Sequence, residues 1–421
     1  MNMRDFDVVV VGAGAAGLGA ATALRQAGRP AVVLEASGRV GGRAWTAHPP
    51  ELGGVWFDMG AIWLHDAERN PLVPIAEARG ERLLRADELR SERTFIGGRP
   101  MTPQEEQEYD EARERFEKAA ERLLADGGDV PFSAVAQSLG DDPWALTIEG
   151  FQGAVIDAAP VDCLSLRDWH DNALNGSNLV PEGGLGACIA RLGEGLDVRL
   201  DTPVRRVRLG SDVTVETDGG VVTAGSCIVT ASTGVLAAGA IRFDPPLPTD
   251  VQETLDAVPM GLAIKVVLRA TGPDRLDLPR HCSLFYRVER RGDPLMPFQC
   301  WPYGRDYVQG WIGGAQSWEL ARQGDGAVVD FALAQLRKMF GGRADRVFAG
   351  GAKLVTHWDA DPWIRGAYAY ARPGWAEARR RLGQPLAEGR LLLAGEACNT
   401  PYAGTLAGAW LSGQQAAEMA A

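Results

Sequence analysis

Gly12-x-Gly14-x-x-Gly17 stands between a β-branched run, Val8 to Val11, and an Ala/Leu-rich segment, Ala15 to Ala27, that stops at Gly28. Glycines in that place let the backbone come close to a pyrophosphate, and a helix that begins there offers it unpaired N–H groups. The pattern by itself is weak, because any tight turn calls for small residues. Glu35 strengthens it. It follows a second apolar run, Ala31 to Leu34, and lies 18 residues after Gly17, where a carboxylate can accept hydrogen bonds from ribose hydroxyls. Ala15 and Ala16 inside the motif, and Ala36 after the acid, are counted with the cofactor-binding residues.

A second glycine pair follows in Ser37-Gly38-Arg39-Val40-Gly41-Gly42-Arg43. Gly42 and Arg43 can present backbone donors and a fixed positive fork to a diphosphate. A plain nicotinamide-binding fold has no need of them. Lysine is scarce: Lys118, Lys265, Lys338 and Lys353 are the only four, so 39 of the 43 basic residues are arginine. Lys265 lies in the apolar run Met260 to Leu268, where a buried ammonium is costly without a partner. Two readings stay open, a strand residue turned to solvent and a charge placed for chemistry. No Gly-x-Ser-x-Gly elbow is present. His170, His281 and His357 show no metal-ligand spacing, and the six cysteines show no C-x-x-C pair, so neither a metal site nor a disulfide framework is expected.

The elements that must hold these residues begin with β-α-β in about 30 residues, which implies a parallel sheet. Residues 103–126 are rich in Glu, Arg and Ala with Leu and Phe at helical spacing, a surface helix outside that motif. Short alternating runs at Val204–Leu209, Val213–Thr217 and Val221–Ala224 predict a β-meander. Residues 330–340 read as helix and Gly366–Ala371 as strand. Arg390–Ala394 then forms a short strand before a Gly-rich loop and a last helix, Thr405 to Met419, so the chain closes as it opened. With 421 residues, 46% hydrophobic and 23% charged, it is an ordinary globular composition that folds throughout. The net charge of −12 argues against a duplex nucleic acid or an anionic membrane as partner. No apolar stretch approaches the roughly 20 residues that span a bilayer, and a cytoplasmic location is expected.

Taken together, G-x-G-x-x-G, the ribose Glu and G-G-R resemble the glutathione-reductase-type FAD fold and, within it, the flavin amine oxidase branch: monoamine oxidases, polyamine oxidases and flavin-type histone lysine demethylases. Phe57 to His65 resembles the polyamine oxidase segment in which Gly60, Ala61 and Ile62 lie against the flavin and Trp63 and His65 line the cavity. Val204 resembles the residue whose backbone binds adenine. Gly395 and Glu396, with Gly404, Thr405 and Leu406, resemble the closing motif, whose acid meets the diphosphate and whose helix points its N-terminus at the flavin pyrimidine. The resemblance makes Lys265 the lysine linked through a water to flavin N5. It places Trp358 near the flavin and Tyr368 in one wall of an aromatic cage for the amine, with Thr405 at the second cage position and Tyr402 as the opposing aromatic. Ala367 stands where covalently flavinylated members carry cysteine, so the FAD is expected to be non-covalent. His65 is either an ordinary half-buried imidazole or the holder of a distal amine at the cavity mouth.

The fold so implied is α/β, a Rossmann-like FAD-binding domain (1–70, 180–245 and 385–421) interleaved with an α+β substrate domain (71–179 and 246–384) whose mixed sheet is flanked by helices. The activity implied is oxidation of a primary or secondary amine, polyamine-like among the options, with O2 as acceptor; the oligomeric state is left open. Two alternatives stand beside it, a carotenoid-desaturase-like or protoporphyrinogen-oxidase-like FAD oxidoreductase and a non-catalytic flavin-binding partner protein.

Overall fold

A computed structural model describes residues 4–421. The β-branched run forms the strand Phe6–Val11, buried on both faces, and Ala15–Gln26 forms the helix that returns the chain to a parallel neighbour, Ala31–Leu34. These lie in an eight-stranded mixed sheet. The meander strands Val204–Leu209 and Val213–Thr217 are present. The third strand runs beyond the predicted Ala224, from Gly220 to Val229. Its first half pairs antiparallel with Val213–Thr217, and its second half pairs parallel with Phe6–Val11 and Leu391–Leu393. Residues 224–229 are buried without alternation, as in a parallel strand covered on both faces, so an alternation rule misses them.

A second, seven-stranded sheet runs in the order 353–355, 264–269, 307–312, 298–300, 282–286, 91–96 and 99–100. Ile264–Arg269, the strand that carries Lys265, lies one strand in from the edge, with Tyr307–Ile312 on one side and Lys353–Val355 on the other. The largest apolar cluster lies on this sheet, against helix Asp325–Phe340. Residues 103–125 form the predicted long helix, started by a capping box between Thr102 and Glu105 and seated through Ala112, Phe116, Ala119 and Ala120. Gly366–Ala371 is not a strand. It makes one isolated bridge, Met260↔Ala369, with Ala367 N–H donating to the Gly261 carbonyl at 2.8 Å and Tyr370 N–H to the Pro259 carbonyl at 3.1 Å. Two of its other donors go to carboxylates, Ala369 N–H to Glu396 at 3.1 Å and Ala371 N–H to Asp168 at 2.9 Å. Among the described residues no helix is long and apolar enough to cross a membrane.

The last helix, Leu406–Met419, packs against the first at glycine contacts. A Cβ on Gly413 would stand 1.9 Å from the Ala16 carbonyl oxygen, and one on Gly19 would stand 2.5 Å from that of Trp410. Backbone cannot yield as a side-chain end can. Gly413→Ala is therefore expected to cost at least the roughly 1–3 kcal/mol of ordinary overpacking and to loosen the cofactor cradle that both helices flank. Thermal unfolding with and without added FAD checks this, and an unchanged melting temperature would show that the helices can slide apart freely.

Candidate active site

The two glycine loops are stitched into one cradle. Gly41 N–H donates to the Ala13 carbonyl at 2.9 Å, and a Cβ on Gly42 would sit 3.2 Å from the Gly14 Cα. Gly17 has the closest approach, since a Cβ there would lie 1.8 Å from the Gly12 carbonyl oxygen. Gly14 itself faces open space, and the helix that starts after it has no capping side chain and no acid in its first turn. An uncapped helix start of this length, opening on a space with no protein atoms, suits a diphosphate. Gly395, at φ 153°, opens onto similar free space across the site.

Glu35 does more than the spacing implied. Its Oε2 accepts from Ala13 N–H at 2.7 Å, and its Oε1 accepts from the Ser37 N–H at 2.8 Å and the Ser37 hydroxyl at 2.7 Å. The carboxylate thus clamps both glycine loops while keeping a lone pair for a ribose hydroxyl. Ala36 is half-buried beside it, and Ala15 and Ala16 are buried against the last helix. Glu35→Ala is expected to weaken FAD retention by about ten- to a hundredfold, the equivalent of one charged hydrogen bond of roughly 1.5–3 kcal/mol. Calorimetric titration of the apoprotein measures it, and unaltered affinity would remove Glu35 from the site. Val204 begins its strand next to a bulge that separates it from Arg206.

Arg43 and Glu396 form an ion pair at 2.7 Å, and Arg43 Nη1 also donates to the Ala367 carbonyl at 2.7 Å. This links the second glycine loop, the closing motif and the cage segment. Thr405 caps the last helix: its hydroxyl accepts from Gly408 N–H at 3.0 Å and donates to the Tyr402 carbonyl at 2.7 Å, with Leu406 as the first helical residue. Gly404, at φ 71°, packs by Tyr368. Tyr402 is buried, and its hydroxyl donates to Asp66 at 3.1 Å. No ring contact joins Tyr402, Tyr368 or Trp358 among the described residues, although Trp358 lies edge-on to Trp45, 6.5 Å between centroids. The Trp358 indole donates to the Met59 carbonyl at 3.3 Å.

Lys265 is buried, not turned to solvent. Its Nζ donates to the Asp58 carbonyl at 2.7 Å and to the Gly60 carbonyl, both in the loop that carries Gly60, Ala61 and Ile62. That loop is held in turn: Ala61 N–H donates to the Arg43 carbonyl at 3.1 Å, and a Cβ on Gly60 would lie 1.8 Å from the same oxygen. Burial pushes the Lys265 amine down to about 7, with Asp58 opposing. Two of its tetrahedral positions are committed to carbonyls. The third carries a proton below that value and a lone pair above it.

Trp63 lies between His65 and Trp311, with centroids 5.8 and 5.9 Å away. His65 Nδ1 is 2.7 Å from Asn178 Oδ1, and Asn178 Nδ2 donates to Asp87 at 3.2 Å. A carboxylate only accepts, so the amide must turn its oxygen to His65, and the imidazole carries its proton on Nδ1. Burial holds the His65 pKa below its ordinary value, which leaves Nε2 as a neutral acceptor. Asn178, Asp87, Thr356 and Trp311 were not singled out in the sequence. Thr356 accepts the Lys265 N–H at 2.9 Å. Among the described residues no cluster of three or more potential metal ligands occurs.

Residues 15–420 match the family model of flavin-containing amine oxidoreductases. The chain belongs to that family. This oxidoreductase is an FAD enzyme, and the cradle fits the cofactor. It is 28% identical to polyamine oxidase 5 of Oryza sativa subsp. japonica over 99% of this chain and 88% of the relative, and 29% identical to probable polyamine oxidase 4 of Arabidopsis thaliana over 99% and 87%. It is also 27% identical to human lysine-specific histone demethylase 2, over 100% of this chain and 54% of that protein. Among solved structures, a wild-type putrescine oxidase bound to putrescine matches its fold, with TM-score 0.78, 23% identity and 98% of each chain covered.

Proposed function

We propose that this oxidoreductase oxidises a primary or secondary amine at its α-carbon, with dioxygen as electron acceptor. When bound, the flavin supplies the hydride acceptor and returns the electrons to dioxygen as hydrogen peroxide, and the imine hydrolyses to an aldehyde and ammonia or a smaller amine. The observation that carries the reading is Lys265, buried and tied by two hydrogen bonds to the loop expected to face the flavin, with one position left for a water. Trp358, packed against Gly60 of that loop, supplies an apolar wall, and Tyr368 stands beside Gly404 of the closing motif. The Tyr368 hydroxyl stays a neutral phenol because burial raises its pKa.

His65 Nε2, neutral and fixed in tautomer by Asn178, accepts an N–H of the amine or takes its extra proton. That favours the uncharged nitrogen from which a hydride leaves readily. No side-chain base at the α-carbon is required. The polyamine and putrescine oxidases among the similar proteins support an aliphatic amine of this kind. Anaerobic addition of an amine panel tests the reading. At least one primary or secondary amine should bleach the flavin, and readmitted oxygen should restore the colour with release of peroxide. A flavin left oxidised by every amine would favour the desaturase-like or non-catalytic alternative.

A further inference from the structure

Beside the Lys265 loop lies an open cleft with aromatic walls: Trp56, Trp63, His281, Tyr303 and Tyr307. Arg305 sits among them. Its guanidinium lies 4.2 Å from the Trp56 ring centre and 5.2 Å from that of Tyr303, and its Nη1 donates to the Trp56 carbonyl at 2.8 Å and the Tyr307 hydroxyl at 3.2 Å. Nε and Nη2 have no partner among the described residues, and no carboxylate pairs with this arginine. The neighbouring acids are committed elsewhere. Asp306 pairs with Arg269 at 3.0 Å. Asp58, which lines the cleft, turns its oxygens to the Thr46 hydroxyl and to the N–H groups of Leu185 and Gly186, where it caps a helix.

Of the remaining polar lining, Gln299 Oε1 accepts the Gln309 amide at 3.0 Å, which leaves the Gln309 oxygen as a neutral acceptor and no uncommitted carboxylate. His281 Nε2 accepts the Tyr303 N–H at 3.0 Å, so its proton lies on Nδ1, a donor. A stacked, hydrogen-bonded guanidinium whose Nε/Nη2 edge is free is a preorganised fork for a planar anion. It also repels a second ammonium. The cleft connects to the reaction site through a single stretch of chain. Arg305 holds the carbonyl of Trp56 and Lys265 holds that of Asp58. Alternate carbonyls of an extended segment leave by the same edge, so the two cations address one edge at points roughly 7 Å apart.

Resting on the amine oxidase reading, we propose that Arg305 receives a carboxylate at the far end of the substrate, so that the preferred substrate is an ω-amino carboxylate rather than a diamine or polyamine. The amine end lies toward Lys265 and His65, and the alkyl chain crosses Trp63.

The test compares a homologous series of ω-amino carboxylates with the matching diamines and alkylamines on the holoenzyme, wild type and Arg305→Met. Methionine keeps a long side chain against Trp56, and the flavin spectrum and melting temperature report the fold. The ratio of kcat/KM for the best amino carboxylate over its matching alkylamine should exceed one in the wild type. It should fall about ten- to a hundredfold in the variant, mainly through KM, as for loss of one charge-assisted hydrogen bond. Calorimetric binding of a dicarboxylate such as glutarate to the oxidised holoenzyme should weaken in parallel. A preference for diamines, or a ratio and glutarate affinity indifferent to the substitution, overturns the proposal. Glutarate binding lost in the variant while no amine reduces the flavin would keep the anion site and refute the amine reading instead.

Discussion

Lys265→Met is expected to slow reoxidation of the reduced enzyme by dioxygen about 10²-fold, the scale of one well-placed electrostatic donor, while reduction by amine falls less. The residue is held in register by the Asp58 and Gly60 carbonyls, so its one uncommitted position is the only part of the side chain that can order a water or offer a proton. Methionine keeps the length and removes both. Stability should move the other way. In the unfolded chain the amine titrates near 10.5, and burial brings it to about 7 in the folded protein. Between those values the unfolded state holds the extra proton, so this group penalises folding below about pH 7 and the penalty fades as pH rises toward 10.5. The variant should lose that slope and gain stability near neutral pH, less the two lost hydrogen bonds at about 1 kcal/mol each. Stopped-flow reduction and reoxidation, with melting curves across pH, separate the two effects. Wild-type rates in both half-reactions would reduce Lys265 to a structural residue.

The legible parts of the site are those built from close neighbours in sequence. Gly12, Gly14, Gly17 and Glu35 belong to one β-α-β unit, and their spacing carries their placement because a strand, a turn and a helix of fixed rise join them. The clamp that Glu35 makes on Ala13 and Ser37 follows from the same locality. Lys265 is conspicuous by rarity, yet its acceptors lie more than 200 residues earlier in the chain, and no pattern in the strand announces them. Asp87, Asn178 and His65 come from three separate segments. Their chain exists only once the fold closes.

Buried carboxylates act at two places that the local sequence pattern leaves silent. Ala367-Tyr368-Ala369-Tyr370-Ala371 alternates as a strand does, but Glu396 and Asp168 take the Ala369 and Ala371 donors, and its pairing stops at one bridge. Tyr402 has the side chain of a cage wall, and Asp66 holds its hydroxyl. In both places a buried carboxylate takes a donor, and a buried acid announces its partner only in three dimensions.

The same density of buried acids makes Asp157→Asn a strong prediction. Asp168 grips Arg379 with two bonds, 2.7 Å to Nε and 2.8 Å to Nη2, and so neutralises it. Asp157 stands close by with its Oδ2 enclosed and unpartnered, as is Arg379 Nη1. Burial first, and the Asp168 charge second, push the Asp157 carboxyl from 3.8 up to about 8, against the attraction of Arg379. Between those values the folded protein holds a proton that the unfolded chain releases, so stability is greatest below about pH 4 for this group and is lost as pH rises to 8. At about 1.4 kcal/mol per unit, discounted for the part-exposed remainder of the side chain, the loss near pH 7 is on the order of 3 kcal/mol. Asparagine keeps the shape without the charge. The variant should therefore melt higher at pH 8 and match the wild type near pH 4. Asp168→Asn should do the reverse at every pH at which Asp168 is ionised, since it strands the Arg379 charge at a cost of roughly 3–5 kcal/mol. A wild-type melting temperature flat from pH 5 to 8, or an Asp157→Asn protein less stable than wild type at pH 8, would mean that Asp157 stays ionised and is paired with Arg379 after all.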